Sequence, residues 1–329
     1  MTATYNIYQR ETLDQPPVQI ATGLTTKNYA ISGLTKGKKY LFSVGAVKNG
    51  LEKISNEKVI LFGKAWTPIN LTNNPVLYAN SDNIIKVDGL ASQLSDLSGN
   101  NNNLTQSISS MRPEVVLDTT INRQAIRFDG SNDAMIGNAI LKESSKNKTF
   151  LYSFFVVARN ALDSSASDKT LMSISTANST ARFTAQLNSS NSTANTIDFG
   201  TRRLDSDSFS NLISSKKSTT EYQMILFVAD YVSGLKHIYV NGELSDSTTT
   251  TVGSTSNSNS NEDFCIGARR LSDGTYYRYA NFKMLEMVFG NTAITSGEID
   301  KLFGHAAHEY QLTSKLPSNH PYKTLIPTI

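Results

Sequence analysis

The clearest run of alternating hydrophobic and polar positions is Tyr40-Leu41-Phe42-Ser43-Val44-Gly45-Ala46-Val47. It puts Tyr40, Phe42, Val44 and Ala46 on one face and predicts a half-buried strand. Before it, Tyr5-Asn6-Ile7-Tyr8 and Val18-Gln19-Ile20 read as strand, broken by Pro16 and Pro17. After the Asn49-Gly50 turn, Lys58-Val59-Ile60-Leu61-Phe62 reads as a closing strand. From about Pro75 onward, short β-rich runs alternate with loops of Ser, Asn, Thr and Gly. The pattern predicts strands over 149–159, 169–175, 182–187, 196–199, 222–231, 236–240, 264–267 and 279–289. Asn241-Gly242 after His237-Ile238-Tyr239-Val240 is the strongest short hairpin signal. The Ser, Thr and Asn run over 247–261 reads as a mobile low-complexity loop. One helix is predicted: Thr295-Ser296-Gly297-Glu298 is a capping box, followed by Ile299, Leu302, Phe303, Ala306 and Tyr310 on one stripe. Pro317 and Pro321 end regular structure.

Composition agrees with β structure and narrows the partners. Of 329 residues 18% are charged, and the formal net charge is +3. The shortfall in charge is filled by hydroxyl and amide side chains, which gives no steering field for nucleic acid or anionic lipid. No apolar stretch approaches the ~20 residues needed to span a bilayer, so membrane insertion is not expected. Cys265 is the only cysteine, which excludes an intrachain disulfide. The opening Met1-Thr2-Ala3-Thr4-Tyr5-Asn6-Ile7 has neither the basic nor the apolar region of a secretory leader. Synthesis and initial residence in a cytoplasm are therefore expected, unless the chain was cut from a longer precursor.

Two stretches resemble known families. The segment Tyr29-Ala30-Ile31-Ser32-Gly33-Leu34, continuing through Gly37 to Tyr40-Leu41-Phe42, resembles the E-to-F corner of a fibronectin type III domain. The resemblance implies that the Tyr40 hydroxyl bonds backward across the corner. It also implies seven strands in a complete domain, and nothing before Tyr5 corresponds to the first two or to their usual core tryptophan. The remaining sheet should leave an apolar face and strand edges uncovered, for another chain to cover. Alternatively, the first strands were lost from a longer precursor.

Further on, Asp96-Leu97-Ser98-Gly99-Asn100, then Arg112-Pro113, then Phe128-Asp129-Gly130-Ser131-Asn132-Asp133 resemble the start of a concanavalin-A-like, laminin-G-type domain. Ile238 to Gly242, Cys265-Ile266-Gly267-Ala268-Arg269, Lys283 to Val288, the capped helix and Leu316 to Tyr322 fit the same family in order. This resemblance implies a jelly roll of two antiparallel sheets. The expected fold is thus all-β: a truncated fibronectin type III-like sandwich over 1–63, a linker over 64–74, and a concanavalin-A-like jelly-roll sandwich with one short C-terminal helix over 75–329.

Candidate chemistry is sparse. Glycosidases of this fold carry paired carboxylates on one strand, about 5 Å apart in the retaining enzymes. Here Glu286 stands with Met284 and Val288 where partners would fall, so it reads as structural and the protein as no enzyme. His305 and His308 on the helix lack a third metal ligand and read as surface histidines. Cys265, between Phe264 and Ile266, reads as a buried inert thiol. The sole tryptophan, Trp66, reads as a junction plug or a sugar-stacking platform.

No cofactor is required, although calcium is the metal the resemblance allows, with Asp96, Asp129, Asn132 and Asp133 as hard oxygen ligands. The same residues are ordinary turn formers. For a sugar ligand, Tyr276, Tyr277, Arg278 and Tyr279 offer three rings and a guanidinium, or else strand packing. Arg202-Arg203 and Arg269-Arg270 can bind acidic sugars or simply be solvated edges. The expected function is a non-enzymatic phage virion protein, of tail or head decoration, in homo-oligomeric contact with other virion chains and able to hold a host-surface glycan. A carbohydrate-binding or adhesion module of a bacterial secreted or surface protein is the alternative.

Overall fold

The computed structural model describes residues 2–26, 28–175, 181–255, 263–270 and 274–329. The chain divides into two compact units, Met1–Trp66 with Pro321–Ile329, and Thr67–His320. The division thus falls at Trp66–Thr67, and the residues from Pro321 onward group with the first unit.

The first unit is a single antiparallel sheet. Thr4–Arg10 lies between Val18–Leu24 and Lys39–Lys48, and the latter pairs further with Leu51–Ile54 and Lys58–Leu61. Tyr40 is buried, and its hydroxyl accepts from the Thr35 backbone N–H at 2.8 Å, a bond directed backward along the chain. The expected burial of the alternating face is corrected. Val44 is 43% exposed and Ala46 is exposed, whereas Ser43 and Gly45 on the opposite face are buried. On that covered face the Glu52 carboxylate accepts from Asn6 at 2.8 Å and from Tyr8 at 2.9 Å, over Gly45, where a Cβ would meet Glu52 Oε1 at 1.9 Å. The polar side chains cover one face, and among the described residues no second sheet of this unit lies on the apolar one. Trp66 is 2% exposed, so it presents no stacking platform, and its backbone N–H donates to Pro327 O at 2.8 Å.

The second unit is a β-sandwich built from one hydrogen-bonded set of 17 strands. In one series Glu114–Asp118, Arg123–Asp129, Asn281–Gly290, Phe150–Arg159, Gln223–Asp230, Leu235–Val240 and Glu243–Thr249 follow one another across the layer. In the other, Ser210–Lys217, Thr196–Thr201, Ala181–Asn188, Lys169–Ser175, Asp263–Ile266 and Met135–Ile136 do so. The layers meet through their apolar sides. Phe199 lies 5.5 Å from Phe227, Phe264 5.2 Å from Phe289, and Phe183 6.3 Å from Phe289. The concanavalin-A-like jelly-roll expectation holds in this unit.

Phe150–Arg159 is buried at every position because both of its faces are covered. One faces the other layer, and the second takes the helix Ser296–Glu309, whose Phe303 packs edge-on to Phe154 at 5.3 Å. The helix starts where its capping box predicts: Thr295 Oγ1 accepts from Glu298 N at 3.2 Å and Glu298 Oε2 from Thr295 N at 2.9 Å. A five-residue helix, Ala139–Glu143, capped by Asn138, was not expected.

Other differences have simple causes. Ser210–Lys217 and Glu243–Thr249 are strands although few of their residues are apolar, because the ladders beside them fix their backbone. Asn241 at φ 55° and Gly242 at φ 87° form the expected hairpin, which carries the strand into Ser247–Thr249, where a loop was expected. The remainder of that low-complexity run lies partly outside the described residues.

Candidate functional site

Strand Ala181–Asn188 turns Phe183, Ala185 and Leu187 into the core and places Arg182, Thr184, Gln186 and Asn188 on the opposite face. That polar face is buried too. Arg182 Nη1 donates to Arg203 O at 2.8 Å, and Asn188 Nδ2 donates to Asp163 Oδ2 at 2.8 Å and to Ser165 O at 3.0 Å. A cleft of about 300 Å³ opens here, lined by Asp168, Ala181, Gln186, Ser190, Asn191, Arg202, Phe209, Asn211, Arg269 and Arg278.

The floor is built to receive polar groups. Gln186 is 3% exposed, and its Nε2 donor has no hydrogen-bond partner among the described residues. A buried amide donor left unmet costs about 1–3 kcal/mol, so this position favours a ligand acceptor or water. On the neighbouring strand, Asp198 accepts from Ser189 Oγ at 2.5 Å, and burial pushes its carboxyl above the ordinary value. Phe209 is 40% exposed and its ring reaches over Gly200, where a Cβ would come within 2.2 Å of it. Glycine at this position lets the ring reach the wall of the cleft.

The guanidiniums are held by defined partners. Arg278 Nη2 pairs with Asp168 Oδ2 at 2.8 Å, while Asp168 Oδ1 accepts from Ser190 N and Oγ, both at 2.9 Å. Arg269 and Arg278 lie 5.4 Å and 5.3 Å from the centre of the Tyr277 ring. Asp205 pairs with Arg182 at 2.9 Å and with Arg202 at 3.3 Å.

Of the four ligand-contact residues expected from the sequence, Arg278 lines the cleft and Tyr277 supports two of its guanidiniums. Tyr276 stacks on Tyr279 at 6.5 Å and carries Arg270 at 5.2 Å, which is packing next to the cleft. Arg202 and Arg269 come from the two arginine pairs, whereas Asp168, Gln186 and Phe209 were not singled out. Polar alternation in Arg182-Phe183-Thr184-Ala185-Gln186-Leu187-Asn188 is the signal that points to Gln186.

The candidate calcium ligands face N–H donors instead. Asp96 accepts from Tyr78 N, Ser98 N and Asn102 N at 2.9–3.1 Å, Asp129 from Ser131 N and Asn132 N, and Asp133 from Asp129 N at 2.8 Å. Asn132 Nδ2 donates to Ser110 O at 2.7 Å. This is turn geometry, and no group of three or more His, Cys, Asp or Glu able to hold a metal ion occurs among the described residues. These carboxylates do not fit a calcium ion as arranged.

Asp133 is 7% exposed, and burial raises its carboxyl to about 6. The folded state therefore holds this proton more tightly than the unfolded chain does. The stability it contributes is fully present below the unfolded value of 3.8 and is lost as pH rises to about 6. Asp133→Asn is expected to be more stable than the parent above pH 6, by on the order of 2 kcal/mol, with the difference closing toward pH 4. Denaturant titration at several pH values checks this, and a difference constant across pH would refute it.

His305 corrects its sequence reading. It is 9% exposed, and its Nε2 lies 3.2 Å from Glu286 Oε2, which also accepts from Tyr310 Oη at 3.0 Å and Tyr78 Oη at 3.3 Å. His308 is half-buried. Cys265 is buried, and burial pushes its thiol up to about 12, as suits an inert side chain.

A family model of the concanavalin A-like lectin/glucanase superfamily, of laminin G type, matches residues 128–300. No curated protein sequence matches the chain. Among solved structures, the chain is similar to the binding domain of Paraclostridial Mosquitocidal Protein 1 at 15% identity and a TM-score of 0.49, over 70% of this chain and 52% of that one. It is similar at the same identity and TM-score to a structure of botulinum neurotoxin type C, whose cell entry depends on two ganglioside molecules, over 70% of this chain and 51% of that one. A Trypanosoma rangeli sialidase shares 11% identity at a TM-score of 0.48, over 83% of this chain and 44% of that one. The chain spans about half the length of these structures or less.

Proposed function

Because the chain belongs to the concanavalin A-like lectin/glucanase superfamily, we propose that it is a carbohydrate-binding protein without hydrolytic activity, and that the cleft over Gln186 takes the glycan. The observation that carries this reading is the buried Gln186 Nε2, which has no partner among the described residues, at the base of a cleft walled by amides, guanidiniums and the ring of Phe209. Sugars present hydroxyl acceptors around a ring whose C–H face suits an aromatic wall. Against hydrolysis, the strand under the cleft offers Thr184, Gln186 and Asn188 at alternate positions and no carboxylate pair, and Glu286 on the strand Asn281–Gly290 stands between Met284 and Val288 without one. Asp168, at the rim, is engaged by Arg278 and Ser190.

We further read the chain as a phage virion protein of tail or head decoration. The support is the fibronectin-like sheet joined to a lectin-like sandwich, and the apolar face of that sheet (Val44 and neighbours), which suits packing against other virion chains or a second copy. An adhesion module of a bacterial secreted protein is the alternative. Recovery of its peptides with purified particles, or free of them, separates the two.

The experiment is to mix the protein with envelope polysaccharide from a candidate host and follow chromatography with light scattering. Co-elution with intact polymer is expected, weakened about 2–10-fold by Gln186→Ala through loss of one hydrogen bond. Shortened polymer would overturn the non-enzymatic reading. A stable monomeric mass for the protein alone would overturn the packing of copies through the first unit.

A further inference from the structure

Resting on the glycan-binding reading for the class of ligand, we propose that the second unit carries a further saccharide site, in the cavity lined by Val76, Asn100, Ile140, Lys148 and Asn291. Its volume is about 690 Å³, against about 300 Å³ for the cleft over Gln186, and the two share no lining residue. The walls rest on well-fixed backbone. Asn291 directly follows the strand Asn281–Gly290, Lys148 shortly precedes Phe150–Arg159, and Val76 packs against the core. Asp96 accepts from Ser98 N and Asn102 N, both at 2.9 Å, and so holds the asparagine-rich loop that contributes Asn100.

The asparagine amides in this cavity are oriented by their partners. Asn100 Nδ2 donates to Pro75 O at 2.9 Å, Asn102 Nδ2 to Val76 O at 2.8 Å and Asn291 Nδ2 to Ser144 O at 2.8 Å. Only the nitrogen end of an amide can meet a carbonyl, so these bonds fix which way each group is turned. The oxygen of Asn102 accepts from Asn138 at 3.2 Å, whereas those of Asn100 and Asn291 accept from no described residue. Two pre-set acceptors are thus left for a ligand, and Lys148 adds a donor. The one lining carboxylate, Glu143, is taken up by Lys146 at 2.6 Å.

A hydroxyl both donates and accepts, so neighbouring hydroxyls on one ring can serve Asn100, Asn291 and Lys148 together. Between these polar groups lies an apolar patch of Val76, Ala139 and Ile140, with Ile140 60% exposed, which suits the C–H face of the ring. Few polar groups at set positions around an apolar patch are what a small cyclic polyol requires. With the cleft over Gln186, the chain then holds one polysaccharide at two places, and the second contact is made at the raised local concentration that the first provides.

The test is titration calorimetry with short fragments of the envelope polysaccharide. Two fragments per chain are expected. Ile140→Arg, at an exposed position that leaves the core untouched, is expected to reduce this to one, and the site that remains should be the one weakened by Gln186→Ala. Lys148→Ala should weaken the second site about 2–10-fold through loss of one hydrogen bond. One fragment per chain, unaffected by Ile140→Arg, would overturn the second site and leave the glycan reading standing. One fragment per chain, lost with Ile140→Arg and indifferent to Gln186→Ala, would uphold this cavity and overturn the cleft over Gln186 instead. Binding of no fragment would overturn both.

Discussion

Glu286→Ala is expected to lower the unfolding free energy by about 3–5 kcal/mol, a large part of the margin of an ordinary domain. A single oxygen, Oε2, gathers Tyr310 Oη at 3.0 Å, His305 Nε2 at 3.2 Å and Tyr78 Oη at 3.3 Å, all from buried residues. Burial, reinforced by Glu286, pushes both tyrosine hydroxyls up, so they remain donors at any pH the protein survives. Removing the carboxyl leaves these polar groups facing a void, and each buried donor without an acceptor costs about 1–3 kcal/mol. The helix Ser296–Glu309 carries His305, and Tyr310 caps it, so the loss should loosen that helix from the sheet first. Glu286→Gln, which keeps an acceptor of the same shape, should cost less than half as much. Denaturant unfolding of the two variants is the check. A loss under about 1 kcal/mol for the alanine variant would mean that the helix is held by its apolar stripe alone.

Gly267→Ala should be nearly as damaging to the fold and should also weaken the cleft. Gly267 has φ 87°, where a side chain costs about 1–2 kcal/mol. An added Cβ would stand 2.3 Å from Phe128 Cδ1 and 2.9 Å from Asp133 O. Phe128 cannot retreat easily, since it is fully buried and stacked on Phe282 at 4.5 Å. Overpacking of this kind adds about 1–3 kcal/mol. The combined expectation is a loss of about 2–5 kcal/mol in unfolding free energy. Gly267 N also donates to Leu171 O at 2.9 Å and its carbonyl accepts from Ala280 N at 2.8 Å, which fixes the turn leading to Arg269. Glycan affinity of the folded fraction should therefore fall as well. Full stability with unchanged affinity would show that Phe128 and the turn are softer than this packing implies.

Most of the larger fold is legible in the sequence, because its core strands announce themselves. Phe150–Arg159 is an apolar run covered on both faces, and Gln223–Asp230 repeats the pattern beside it. The capped helix is local chemistry, readable from Thr295 and Glu298 alone. Strands such as Ser210–Lys217 escape because their backbone is fixed by neighbours rather than by their own side chains. The alternation in Lys39–Lys48 is read correctly as strand, yet the burial it implies is absent, since alternation states which face is apolar and not whether anything covers it.

The site was legible only in pieces. Arg202, Arg269 and Arg278 are visible as charges, but the polar partners that make a cleft of them, Asp168 and Gln186, lie far off in sequence. Tertiary packing alone brings them to one place. The same holds for His305, which a helical wheel sets near the surface and which the docking of the helix sets against Glu286.

The tail from Pro321 onward has a consequence for how the protein is made. Ile326 N donates to Gly37 O at 2.9 Å, Trp66 N to Pro327 O at 2.8 Å, and Ala65 bridges Thr328. In chain order, the lectin-like sandwich is an insertion within the smaller unit. A ribosome emits the first sheet early, yet its last partners appear only after the whole insert has been synthesised. The smaller unit thus closes across a very long loop, a slow step whose entropic cost shrinks once the insert has folded and drawn its own two ends to fixed positions. Assembly of the first unit is in this way timed by completion of the second.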